Sequence, residues 1–248
     1  MLVLHRSRLV RLRWDPALMR AMLGFSLPLV PAAIAGWTLN LSDRYILQAV
    51  EGASAVGIYS LGYTIGLMIN AFAVTPFTLA WGAAYWEMAG EEGVRHTFAR
   101  VMTGFTFLAS LVAVVLSAFG TDAIRFFVPA FEPARYVVPF SAFAYVLYGV
   151  YTIATTGLNL ASQTRWLPLP LAVAAVANLV LNLVLIPIFG FMGAAYATLA
   201  GYALLALVSG AASQRFYPVP WEYARVGATL VLGLVLAEAA VLGPDVLV

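Results

Sequence analysis

The chain has 248 residues, of which 63% are hydrophobic and 10% charged, against roughly 45–50% apolar and 25% charged in soluble domains. So few polar side chains cannot cover a water-exposed globule of 26.6 kDa, and the apolar residues stand in blocks much longer than strands. The formal net charge of +2 gives no argument for a nucleic-acid partner, and the absence of cysteine excludes disulfides, thiolate nucleophiles and cysteine metal sites.

A helix that crosses the hydrocarbon needs about 20 largely apolar residues, because each residue advances it about 1.5 Å through a layer about 30 Å thick. Seven stretches qualify, at about 21–40, 55–81, 99–120, 135–160, 166–188, 190–212 and 225–244. None alternates apolar and polar residues as barrel strands do. The expected fold class is therefore all-α: an Arg-rich juxtamembrane segment, 1–20, followed by a transmembrane bundle, 21–248, of about seven spans.

Residues 1–20 carry Arg6, Arg8, Arg11, Arg13 and Arg20. A transit peptide would also be basic, but the segment reads better as a juxtamembrane stretch drawn to anionic lipid. Putting this end in the cytoplasm leaves ten Arg inside and only Arg44, Arg125 and Arg135 outside, the bias that sets membrane orientation.

In the first span, Pro28 and Pro31 free backbone carbonyls and predict a kink, either a gating hinge or a static bend. Asp43 and Arg44 are expected at its outer end, solvated, paired with each other, or facing a ligand. Gly62 and Gly66 in the second span, and Gly193, Ala197 and Gly201 in the sixth, are small residues four apart that let helices approach closely. Asn70, Thr75 and Thr78, and the pair Asn178 and Asn182 on one face of the fifth span, fit either a polar path or interhelical hydrogen bonding. Arg125 and Arg135 flank an external aromatic stretch, where interface anchoring and phosphate contact are both open. Glu87 lies near the inner end of the second span. Glu238, deep in the seventh, is the candidate proton-linked acid, with packing as the alternative.

No catalytic constellation is present. His5 and His96 stand far apart, with no paired metal-ligand spacing, and neither a GxSxG elbow nor a P-loop occurs. The chain is not expected to be an enzyme, nor to carry a metal or a cofactor.

The run Gly24-Phe25-Ser26-Leu27-Pro28-Leu29, then Leu41-Ser42-Asp43-Arg44-Tyr45-Ile46-Leu47, then Val56-Gly57-Ile58-Tyr59-Ser60-Leu61 resembles the second lobe of bacterial polysaccharide exporters. These are O-antigen-type flippases of the multidrug/oligosaccharidyl-lipid/polysaccharide exporter superfamily. Gly157-Leu158-Asn159-Leu160, Asn178 through Pro187 and Phe189 through Thr198 are similar to the same family's late helices.

The resemblance implies two six-helix lobes around a central cavity, of which this chain would supply the second lobe plus one helix. It further implies a truncated or half-size chain, completed by a missing N-terminal lobe or by a homo-oligomer. The implied activity is translocation of an undecaprenyl-diphosphate-linked oligosaccharide across the bacterial cytoplasmic membrane, the implied partners being membrane lipid and lipid-linked glycan and not nucleic acid. Arg44 would attract the diphosphate, Asp43 orient or pair it, and Asn70, Asn178 and Asn182 line the path. Alternatives are a cation-coupled drug exporter or peptidoglycan-precursor flippase of the superfamily, an intramembrane glycosyl- or acyltransferase, and a structural half-protein.

Overall fold

The computed structural model describes residues 15–26 and 30–246. Arg6, Arg8, Arg11 and Arg13 of the juxtamembrane segment, and Pro28, lie outside the described residues.

Among the described residues every regular element is helical. Helix α1 (Pro16–Ser26) starts where Asp15 Oδ1 accepts the N–H groups of Ala17 and Leu18, at 2.9 and 3.1 Å, with Pro16 in the first turn, where its missing N–H costs nothing. There follow α2 (Val30–Glu51), α3 (Ala53–Ile69) and, after a π-helical turn, α4 (Thr75–Met88). Then come α5 (Val94–Phe127), a 3₁₀ strap (Pro129–Tyr136), α6 (Val137–Ala154) and the short α7 (Thr156–Leu160). The last three are α8 (Pro168–Phe189), α9 (Phe191–Phe216) and α10 (Tyr223–Val246). Gly52, at φ 85°, and Gly190, at φ 59°, make the abrupt reversals between α2 and α3 and between α8 and α9.

Helix α6 is the centre of the bundle, with Val137, Ala142, Phe143 and Val146 all buried. It packs against α3, α5 and α9; α10 lies on the outside of α5, and α8 lies against α9 and α2. Helix α2 closes on α3, so that α2, α3, α6, α9 and α8 form a ring. The expected small-residue seams are real contacts. A Cβ on Gly62 would stand 2.7 Å from Val137 Cβ, one on Gly193 2.8 Å from Ile186 N, and one on Gly201 3.1 Å from Asn178 Cβ. Outward faces such as Leu108 and Leu111 on α5, Val176 and Val180 on α8, and Leu232 and Val235 on α10 remain exposed. Exposed apolar residues on so many outward helix faces are what a bilayer covers.

Six helical stretches are long and apolar enough to cross a membrane: Ala53–Met88, Val94–Phe127, Pro129–Leu160, Thr164–Phe189, Phe191–Phe216 and Tyr223–Gly243. They correspond to the second through seventh expected spans. The first expected span, 21–40, falls on α1 and α2, with 27–29 outside the described residues, and α2 continues past it to Glu51, because Asn40, Ser42, Asp43 and Arg44, where a hydropathy reading stops, are turned inward. At 22 residues the helix is about 33 Å long, enough for a crossing.

Candidate functional site

Halfway along the ring of helices lies a recess of about 440 Å³, lined by Asn40 and Arg44 of α2, Tyr63 of α3, Asn70 of the π turn, Tyr145 and Tyr148 of α6 and Tyr202 of α9. Tyr145 and Tyr202 stand near the middles of α6 and α9 and Arg44 two turns before the end of α2, so the polar groups collect inside the bundle. In a bilayer such positions are costly for polar side chains and mark functional paths.

Arg44 is the charge of the recess. Its Nε donates to Ser60 Oγ and its Nη1 to the backbone carbonyl of Asn40, both at 3.3 Å, while its Cζ stands 4.8 Å from the centre of the Tyr63 ring. Among the described residues no bond is made by Nη2. The guanidinium is thus held on one edge and over an aromatic face, leaving the other edge for a ligand.

Asp43 sits directly behind, 1% exposed. The Tyr59 hydroxyl donates to its Oδ2, and the Arg44 backbone N–H donates to its Oδ1 at 2.7 Å. The Tyr59 hydroxyl also lies 3.2 Å from Thr198 Oγ1, so one buried chain joins α2, α3 and α9. Two expectations are corrected here. Asp43 is not at a solvated helix end, and its carboxylate is not ion-paired with the Arg44 side chain. Consecutive residues on a helix point about 100° apart, so Asp43 faces the core while Arg44 faces the recess.

The tyrosines form a linked set. Tyr63 and Tyr145 hydroxyls are 2.7 Å apart, and Asn40 Oδ1 accepts from Tyr63 at 3.3 Å and from Tyr202 at 3.0 Å. The Asn40 amide nitrogen in turn donates to the Gly36 carbonyl at 2.8 Å. Rings of Tyr145, Tyr202 and Tyr148 pack in sequence, with centroids 5.7 and 5.9 Å apart. Among the described residues no carboxylate lines the recess. One guanidinium among phenolic hydroxyls, ring faces and amides suits a ligand that is anionic and rich in hydroxyls.

Asn70 reaches the recess because the helix between α3 and α4 widens there. Pro76 has no N–H, and the backbone over Asn70–Val74 adopts a π turn in which the Thr75 N–H bonds back to the Asn70 carbonyl.

The other sequence candidates lie elsewhere. Asn178 and Asn182 are fully buried in α8, where Asn178 Oδ1 accepts from Asn182 Nδ2 at 3.0 Å and from Ser42 Oγ at 3.4 Å, and neither lines the recess. Glu238 is on α10, with a buried Oε1 that has no hydrogen-bond partner. Glu87 is exposed near the end of α4. Arg135 is not exposed as an interface anchor would be: it is 5% exposed and bonds Glu132 at 2.9 Å, where Arg125 also arrives at 3.1 Å, tying the 3₁₀ strap to the end of α5. No cluster able to hold a metal ion occurs among the described residues.

Sequence reading missed Asn40, Tyr63, Tyr145, Tyr148 and Tyr202. A signal existed, since Tyr59 and Tyr63 are four apart and Tyr145 and Tyr148 three apart, placing phenols on common helix faces in mid-span, whereas membrane tyrosines normally gather at the interfaces.

The described residues thus form a polytopic helical bundle with a cationic, tyrosine-lined recess. Residues 4–81 match the family described as polysaccharide biosynthesis protein, a stretch that includes Asp43, Arg44, Tyr59, Tyr63 and Asn70. The chain is 24% identical over 226 residues to the probable low-salt glycan biosynthesis flippase Agl15 of Haloferax volcanii, covering 88% of this chain and 47% of the relative. It therefore spans about half the length of the curated relative that it matches. No solved structure matches it significantly. The chain is a polytopic helical membrane protein that is similar over residues 4–81 to the polysaccharide-biosynthesis family and over most of its length to part of a probable flippase.

Proposed function

We propose that this chain forms one lobe of a flippase that carries a lipid-linked oligosaccharide of the polyprenyl-diphosphate type across the cell membrane, with its N-terminus on the cytoplasmic side. The observation that carries the reading is Arg44, held by Ser60 and Asn40 and offered to a mid-depth recess that no acid lines. A diphosphate entering the bilayer needs a fixed cation to replace part of its hydration, and the forked N–H geometry of Arg suits phosphate oxygens. Sugar hydroxyls and ring faces would meet Tyr63, Tyr145, Tyr148 and Tyr202, while the polyprenyl tail stays in lipid. A cationic drug would instead meet Arg44 with no compensating carboxylate in the recess.

Two lobes that rock about such a site would expose it to each side in turn. This chain spans about half of its relative, and a second lobe, supplied by an N-terminal part of the same polypeptide or by another copy, completes the path. The π turn at Asn70–Val74 is a ready place for one wall to bend, because the helical ladder is already out of step there.

The test is transbilayer movement of a fluorescent polyprenyl-diphosphate oligosaccharide in membrane vesicles that contain the full chain. Arg44→Gln should slow it at least tenfold at unchanged protein level. Movement at the wild-type rate would refute the assignment.

A further inference from the structure

The hydroxyl protons of the tyrosine set are all committed within the wall of the recess. Asn40 Nδ2 donates to the Gly36 carbonyl at 2.8 Å, which turns Oδ1, with its two lone pairs, toward the phenols. Tyr202 donates to that oxygen at 3.0 Å and Tyr63 at 3.3 Å. A phenol has a single proton. Tyr63, whose proton lies on Asn40, therefore accepts at the 2.7 Å contact with Tyr145, and the Tyr145 proton is engaged there. Three protons make three bonds in this order. If Tyr63 donated to Tyr145 instead, Asn40 would lose one of its two donors and only two bonds would remain.

Tyr145 and Tyr202, which line the recess, thus keep only lone pairs for a ligand. A hydroxyl or an amide N–H can donate to them and leave the set intact. An anionic oxygen in the same place is met by lone pairs, or draws a proton away and breaks a bond of the set.

The charges of the recess impose the same restriction. Among the described residues Arg44 is the one charged side chain in its lining, and the other polar liners, Asn40, Asn70 and the tyrosines, are neutral. One anionic centre is matched by the open edge of the guanidinium, and a second, beyond its reach, would be buried without a partner. The guanidinium lies over the Tyr63 ring, with Cζ 4.8 Å from its centre, and the hydroxyl of that ring touches Tyr145. A phosphate on Arg44 therefore has the phenols one ring's length away, where the sugar joined to it must sit.

We propose that the recess selects by the first sugar, the one joined to the diphosphate: it takes a neutral sugar that donates hydroxyl or amide hydrogens to Tyr145 and Tyr202, and it rejects a uronic acid. This rests on the reading of Arg44 as the diphosphate site. The full chain, purified in detergent, is titrated with three probes: polyprenyl diphosphate alone, polyprenyl-diphosphate glucose and polyprenyl-diphosphate glucuronic acid. The glucose compound should bind about tenfold more tightly than the glucuronic acid compound, whose carboxylate finds no cation. Tyr145→Phe removes a lone-pair donor facing the sugar and leaves both bonds to Asn40. It should weaken glucose binding about threefold, the worth of one hydrogen bond in a membrane, and leave the sugar-free probe unchanged. Arg44→Gln should weaken all three. Equal binding of glucose and glucuronic acid compounds, both lost in Arg44→Gln, would overturn the selection and leave the diphosphate site standing. A Tyr145→Phe protein that loses all three probes alike would also overturn it, by placing Tyr145 in packing alone. Failure of all three to bind, or binding indifferent to Arg44→Gln, would overturn the diphosphate site and the selection with it.

Discussion

Gly66 is where the recess depends most on close packing. A methyl group added there would overlap Ser141 Oγ and stand 2.7 Å from the Ala142 backbone nitrogen and from Ser141 Cβ. Relaxed contact is at about 3.5 Å, so α3 and α6 must part by about 0.8 Å. Overpacking of this kind costs about 1–3 kcal/mol, and loss of the 3.3 Å bond from Ser141 Oγ to the Gly62 carbonyl adds about 0.6 kcal/mol within a membrane. The same shift would stretch the Tyr63–Tyr145 contact from 2.7 Å to about 3.5 Å, the limit for a hydrogen bond. Gly66→Ala should therefore lower the stability of the detergent-solubilised protein by about 2–3 kcal/mol in scanning fluorimetry. Gly82→Ala, where an added Cβ meets nothing within 4 Å, should be neutral or slightly stabilising. A Gly66→Ala protein as stable as Gly82→Ala would refute the packing argument.

Tyr59→Phe removes the side-chain donor of the buried Asp43 carboxylate and should cost about 2–3 kcal/mol, more than Asp43→Asn, which removes the charge itself; thermal melts of the two variants give the order directly. Asn178→Ala and Asn182→Ala break contacts within the α8 seam and should each cost about 0.6 kcal/mol, with transport falling only in proportion to folded protein. Trp81→Phe loses the 2.9 Å bond from Nε1 to Thr156 Oγ1 and should cost about 1 kcal/mol without changing recess binding. Tyr148→Ala opens the recess wall without cutting a hydrogen bond of the tyrosine set, so ligand affinity should fall about fivefold while the melting temperature moves little; equal loss of both would place Tyr148 in packing alone.

The fold class was legible because apolar blocks of crossing length leave a chain one option in lipid, the helix with its backbone bonds satisfied internally. The six spans from α3 to α10 show in the sequence for that reason. Helix α2 is half hidden, since a window average cannot tell polar residues that face a cavity from those that end a span, and Asn40 through Arg44 look like an ending. Arg44 was visible as a charge near a span. Its partners were not, since Ser60, Tyr63, Tyr145 and Tyr202 come from three other helices whose rotation about α2 is decided by tertiary packing. The pair Asn178 and Asn182 shows the converse, with spacing that fixes a common face and says nothing of what the face meets.

The most direct measurement is photocrosslinking from inside the recess. A benzophenone side chain at Tyr148 should capture a polyprenyl-diphosphate oligosaccharide labelled on its sugar, and excess unlabelled compound should abolish the product. The same group at Val176, on the exposed side of α8, should capture only a tail-labelled form. Capture of the sugar label at Val176 and not at Tyr148 would contradict the account.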